Sequence, residues 1–181
     1  TTLTMHAVLQ RLLLTDAAGI APASKRIAYE PTPGEIAWAR AKLAADIPSG
    51  AAPLVGLHVA TFPTKTFRRW PIDCFAGLAE KIIEVWPNAH FLIYGGDEEP
   101  ERVQWLKDRL ADRATPYAGS LSLRETGAIM SLTDLYVGLD TGPTHIMSAF
   151  DIPLVVLHHC RIPGRYVAPL GHPLCESIDH P

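Results

Sequence analysis

The chain has 181 residues, 48% hydrophobic and 19% charged, with 16 basic against 19 acidic side chains and a formal net charge of −3. Such a composition buries a sizeable core and suits one domain with an appendage; it excludes a tail, a fibre or a basic nucleic-acid groove. Cys74, Cys160 and Cys175 lack framework spacing, which predicts free thiols in a reducing, cytoplasmic setting, and no apolar run is long enough to span a bilayer.

Residues from about Leu3 to Ala18 carry Leu, Val and Met at helical spacing and stop at Gly19, a residue suited to a left-handed cap. Thr32-Pro33-Gly34-Glu35 has capping-box spacing with Pro at the first helical position, predicting a helix to about Ala45. After the linker Pro48 to Pro53 the rhythm alternates: strand Leu54 to Ala60, helix Asp73 to Trp86, strand Ala89 to Tyr94, helix Glu98 to Leu110. A short extended piece near Tyr117 follows, then a second capping box, Ser122 to Glu125, opening a helix to Ser131. Leu135 to Leu139 reads as a strand, a short helix runs to Phe150, and Leu154 to His158 reads as the last strand, with no closing helix behind it.

Alternation of this kind predicts an α/β fold, a Rossmann-like parallel sheet with helices on both faces, because parallel strands need helical crossovers. Residues 1–50 are a helical connector and residues 51–181 the Rossmann-like body. Ligands of such sheets bind beyond the carboxyl ends of the strands.

Among those strand ends, Asp140-Thr141-Gly142-Pro143-Thr144-His145 stands out. A strand feeding a Gly-Pro turn into a helix leaves N–H groups free where the positive end of the helix dipole points. The amides of Thr144 and His145, the hydroxyls of Thr141 and Thr144 and the His145 imidazole then converge on an anion, while Asp140 holds the turn or takes a sugar hydroxyl. The other reading is a plain helix cap with a satisfied histidine. The loop Thr61 to Trp70 adds Thr61, Lys65, Arg68 and Arg69, hydroxyls and cations that suit phosphoryl oxygens; a solvated basic loop is the alternative. Gly95-Gly96 makes a tight turn, and the absence of Gly-x-Gly-x-x-Gly argues against the usual dinucleotide fingerprint. His158-His159-Cys160 with His172 and Cys175 lacks paired ligand spacings, so no metal and no cofactor is expected.

Several ordered blocks also carry a resemblance. Gly56-Leu57-His58, Arg68-Arg69-Trp70-Pro71 with Phe75-Ala76, Leu92 to Gly96, Ala118 to Leu123 and Asp140 to His145 with Ala149 resemble the C-terminal half of the ADP-heptose:lipopolysaccharide heptosyltransferases, glycosyltransferase family nine. The resemblance implies a GT-B enzyme of two facing Rossmann-like domains, this half holding an ADP-sugar donor and an absent N-terminal domain holding the lipopolysaccharide-core acceptor and the catalytic base. The enzyme it implies is a metal-independent inverting glycosyltransferase, cytoplasmic or peripheral at the inner membrane. The alternative is a non-catalytic nucleotide-binding module derived from one. The resemblance assigns Asp140, Thr141, Gly142 and His145 to the donor-binding turn, Thr61 to a hydroxyl position after the first strand, and Glu99 and Leu121 to the nucleoside. Two departures accompany it. Arg68 stands where the family has Lys, with Lys65 nearby, and Leu157-His158-His159-Cys160 replaces the family's Phe-Gly-Pro-Thr.

Overall fold

A computed structural model describes residues 4–95 and 99–180. Six parallel strands form one sheet in the order β3-β2-β1-β4-β5-β6: β1 Leu54–His58, β2 His90–Tyr94, β3 Ala114–Pro116, β4 Leu135–Leu139, β5 Leu154–His159 and β6 Cys175–His180. Every neighbouring pair is parallel, with Gly56 of β1 opposite Leu92 of β2 on one side and Tyr136 of β4 on the other. The order reverses between β1 and β4, and there the loops leaving the two strands diverge and open a crevice. The architecture is the Rossmann-like α/β fold.

The sheet is covered on both faces. On one, helices α3 (Ile72–Val85) and α4 (Pro100–Leu110) deliver Phe75, Ala79, Ile82, Val103 and Leu106 onto Val55, Leu57, Phe91 and Ile93. On the other, α2 (Pro33–Asp46) and α5 (Leu123–Met130) cover Leu92, Tyr94 and Tyr136 with Ala39, Leu43, Ala128 and Ile129. Strands buried on both faces read as continuous apolar runs, and they were legible for that reason. Both capping boxes form: Thr32 N–H donates to Glu35 Oε2 at 2.6 Å and Ser122 N–H to Glu125 Oε2 at 2.7 Å, with the reciprocal bonds at 3.3 Å. Of the helices before residue 51, α2 joins the core, while α1 (Ala7–Ala17) buries no side chain. Gly19 lies at φ +72° behind α1, the left-handed conformation a helix stop needs.

Several expectations need correcting. The first helix begins at Ala7, and the part predicted from Leu3 falls partly outside the described residues. The predicted starts at Glu98 and the turn at Gly96 also lie outside them; the described helix starts at Pro100. Leu154–His159 is not the last strand. A short helix α7, Gly164–Val167, and the edge strand β6 follow it. β6 was invisible to the sequence because Glu176, Ser177, Ile178 and Asp179 are all exposed. An edge strand of this kind carries no apolar alternation and uses charge to discourage pairing with another chain.

Two glycines make room for aromatic rings. The Tyr136 ring lies over Gly138 two residues on and beside Gly56 across the sheet: a Cβ at Gly138 would stand 2.5 Å from Tyr136 Cε1, and one at Gly56 would stand 2.7 Å from Tyr136 Cδ2. Tyr94 packs next to Tyr136 with centroids 6.1 Å apart, so the rings fill the volume the glycines leave. Gly138→Ala is therefore expected to destabilise the fold by about 1–3 kcal/mol through overpacking, read by chemical denaturation.

Candidate functional site

Loops leaving β1 and β4, the short helix α6 (Gly142–Met147), α1 and α7 enclose a cleft of about 700 Å³ at the carboxyl edge of the sheet. Thr61, Lys65, Arg68, Asp140, Thr141, Gly142 and His145 all line it. Residues 80 positions apart in sequence meet here because β1 and β4 are neighbours in the sheet.

The turn after β4 is held by side chains. Arg68 NH1 donates to the Asp140 carbonyl at 2.8 Å and to its carboxylate Oδ2 at 3.1 Å, and His145 Nε2 lies 3.3 Å from Oδ1. Burial works to raise the Asp140 pKa, but the His145 hydrogen bond and the positive charge of Arg68 outweigh it, so the carboxyl titrates below the ordinary aspartate value. Asp140 is the one carboxylate among the described cleft-lining residues. Its two oxygens face an arginine and a histidine, contacts that tie the turn to the loop after β1. Gly142 lies outside the left-handed region and a Cβ there meets nothing within 4 Å, so the glycine keeps the cleft open.

Three of the residues singled out in the sequence face elsewhere. Thr144 is 1% exposed; its hydroxyl donates to the Leu139 carbonyl at 2.6 Å and links to Tyr136 OH at 3.1 Å, so only its backbone faces the turn. A Thr in a first helical turn bonds back to the preceding strand readily, and spacing alone does not reveal it. Glu99 is 1% exposed; its Oε2 accepts from the Thr61 N–H at 2.6 Å, and Oε1 forms an ion pair with Arg69 but accepts no hydrogen bond among the described residues. Leu121 packs against the α2–α5 core. The His145 amide also differs from expectation, donating to Thr141 O at 3.2 Å; the N–H groups of Gly142 and Thr144 have no backbone acceptor among the described residues.

Sequence reading missed Arg11. It lies on α1 on the face shared with Ala7 and Val8, which also line the cleft with Ile27 and Val167. A single cation interrupting an apolar helical stripe was the available signal. The Arg11 and Lys65 side chains have no hydrogen-bond or ion-pair partner among the described residues, whereas Arg68 is tied to Asp140 and Arg69 to Glu99. The cleft is therefore lined by unpaired positive charge from two elements, α1 and the loop after β1.

Beneath it, His58 at the end of β1 is 3% exposed, with Nδ1 3.3 Å from Thr141 Oγ1. Burial depresses its pKa from 6.5 to about 4. His58, Ala60 and Pro143 line a smaller apolar recess of about 150 Å³ that adjoins the cleft through Thr61, Phe62, Thr141 and Gly142. His158 is fully buried, its pKa lowered chiefly by that burial, while His159 packs edge-on against Phe67 and His180. Among the described residues no group of three or more His, Cys, Asp or Glu is placed to hold a metal ion, and no helix is long and apolar enough to cross a membrane.

A sequence profile of glycosyltransferase family 9 (heptosyltransferase) matches residues 6–174. The chain belongs to this family. No curated protein sequence matches it. Among solved structures, a family 9 glycosyl transferase from Veillonella parvula superposes with a TM-score of 0.81 at 19% identity, over 99% of this chain and 51% of that one. The ADP-heptose lps heptosyltransferase II of E. coli superposes with a TM-score of 0.70 at 18% identity, over 87% and 47%. E. coli heptosyltransferase WaaC, solved with ADP, gives 0.65 at 20% identity, over 94% and 49%. The chain thus spans about half the length of these proteins and shares the fold of the matched part.

The buried His58 generates a pH prediction. Its folded pKa lies below its unfolded value, so the unfolded chain binds the extra proton between pH 6.5 and about 4. Its contribution of about 3 kcal/mol is complete above pH 6.5 and is lost as pH falls through that window. Across this window wild type should lose about 3 kcal/mol of stability relative to His58→Gln, read by denaturation at each pH; a difference that stays constant with pH would contradict the assignment.

Proposed function

We propose that this chain is the donor-binding half of an inverting family 9 glycosyltransferase, taking a nucleoside-diphosphate sugar, ADP-heptose, for transfer to the lipopolysaccharide core. The observation that carries this reading is the cleft at the β1–β4 crossover, lined by unpaired Lys65 and Arg11 together with the Asp140–His145 turn. The two heptosyltransferases of E. coli that share this fold, one of them solved with ADP, support the choice of nucleotide.

In this reading Lys65, Arg11 and the free edge of Arg68 surround the diphosphate, and the unbonded Gly142 and Thr144 amides add donors on the turn. Inverting transfer places growing negative charge on the departing nucleoside diphosphate, and fixed cations already aimed at that position stabilise it without reorganising. Thr141 and His145 lie beside the same volume, the imidazole offering Nδ1 while Nε2 faces Asp140. The acceptor hydroxyl also needs a base. Asp140 is ill suited, since its carboxylate is engaged by Arg68 and His145 and its pKa is lowered. In this reading the base comes, as the family resemblance implies, from the part of the enzyme that holds the acceptor.

Calorimetry tests the reading. ADP should bind much more tightly than adenosine, with an affinity that falls as salt rises, because the contacts are to phosphate. Arg11→Ala, an exposed change, should weaken ADP roughly tenfold at low salt and make its salt dependence shallower. Equal binding of ADP and adenosine would refute the proposal. A second test concerns the turn: Gly142→Val should fold normally, since a Cβ there meets open space, yet block ADP by filling that space.

A further inference from the structure

We infer that His145 is a proton-linked cation of the cleft: when the donor's diphosphate enters, the imidazole takes up a proton and stands as an imidazolium between that anion and Asp140. The inference rests on the nucleoside-diphosphate reading above. It goes beyond the donor contact that family resemblance implies for this residue, because it assigns that contact a charge and makes binding depend on pH.

The geometry decides the charge. His145 Nε2 lies 3.3 Å from Asp140 Oδ1, and Nδ1, on a ring that lines the cleft, has no partner among the described residues. A neutral imidazole carries one N–H and one lone pair. If Nε2 holds the hydrogen for Asp140, Nδ1 turns its lone pair toward the phosphoryl oxygens; if Nδ1 holds it, the lone pair of Nε2 meets the carboxylate. Only the imidazolium offers a donor to both anions. Asp140 does not relieve the conflict by taking the proton itself, since Arg68 also holds its carboxylate in the ionised form. Its side chain is 8% exposed, so water screens its charge little.

The surrounding charges make the ligand the trigger. Lys65 and Arg68 from the loop after β1, and Arg11 from α1, line the same cleft, where Asp140 is the one described carboxylate. Lys25 and Arg26, on the segment before α2, share a small cavity with His145, and Arg26 is paired with Asp151. His158 of β5 is fully buried within electrostatic reach of both Asp140 and His145. Val167, Ala168, Pro169 and Leu170, which close that small cavity from α7 and the turn behind it, carry no ionisable group. Cations thus outnumber the single carboxylate around His145 in the free protein and oppose its protonation. A diphosphate reverses that balance, and histidine is the side chain whose charge responds near neutral pH, whereas lysine and arginine are charged throughout.

Calorimetry counts the proton. ADP is titrated into the full chain at about pH 7.5, in buffers of different ionisation enthalpy; the ligand is almost fully ionised there, so any uptake comes from the protein. Wild type should take up about half a proton or more per ADP, and its affinity should fall by up to about tenfold per pH unit above neutrality, because proton and ligand strengthen each other's binding. His145→Asn should bind ADP several-fold more weakly, take up no proton and lose that pH dependence. His158→Phe removes the neighbouring imidazole without breaking a hydrogen bond, since neither ring nitrogen has one, and should keep the uptake. Should His145→Asn fail to fold, ring-nitrogen NMR of the wild type decides, and ADP should raise the pH at which the His145 nitrogens leave the imidazolium range. ADP binding with no proton uptake, or with no change in that titration, would overturn the inference, because it would make His145 a neutral contact. Uptake that survives His145→Asn and disappears in His158→Phe would overturn it equally by moving the proton to β5. Wild-type protein that binds no ADP would sink the nucleotide reading itself, and this inference with it.

Discussion

The parallel direction of all six strands, with the order reversing between β1 and β4, is the constraint from which the cleft follows. Parallel strands send every outgoing loop to one edge of the sheet. At a reversal, the helices after the two neighbouring strands go to opposite faces and their loops part. α3, after β1, lies on one face and α6, after β4, packs Met147 into the other, so the loops after β1 and β4 have no helix between them. Arg68 and Asp140 are 72 positions apart in sequence and meet across this gap.

Electrostatics then divides the cationic side chains by task. Arg68 and Arg69 each face a carboxylate with little exposure, Asp140 and Glu99 respectively, and act as fasteners between elements. Lys65 and Arg11 have no such partner and keep their charge for whatever enters. Ion pairs as poorly exposed as these lose much if one member is removed, because the other is left buried and unmatched. The same reasoning explains why the cleft's own carboxylate is a poor proton acceptor.

Much of the fold was legible because its signals are local. Capping boxes at Thr32 and Ser122, a Gly after α1 and apolar runs for the doubly covered strands each name an element without knowledge of the rest. Much of the cleft was legible for a similar reason, since Thr61, Lys65, Arg68 and the Asp140–His145 turn sit where strands end. The remainder depends on facts that spacing does not carry. Thr144 turns inward because the Leu139 carbonyl is within reach, Glu99 is enclosed by Arg69, and Arg11 enters only because α1 folds back over the carboxyl edge. β6 was missed because its pairing with β5 is made by backbone groups, under side chains that are mostly exposed.

One wall of the cleft differs from the rest in how it is held. α1 contributes no buried side chain, and beyond its contacts with α7 it is tied by a bond between His6 Nε2 and the Ala168 carbonyl at 2.9 Å. Its opening free energy is therefore small beside that of the sheet. A ligand that engages both Lys65 and Arg11 binds only the state in which this helix is docked, so it stabilises that state by mass action, in proportion to RT ln(1 + [L]/Kd). Occupancy of the cleft thus becomes readable at a distance from the phosphates, as slowed amide exchange along α1.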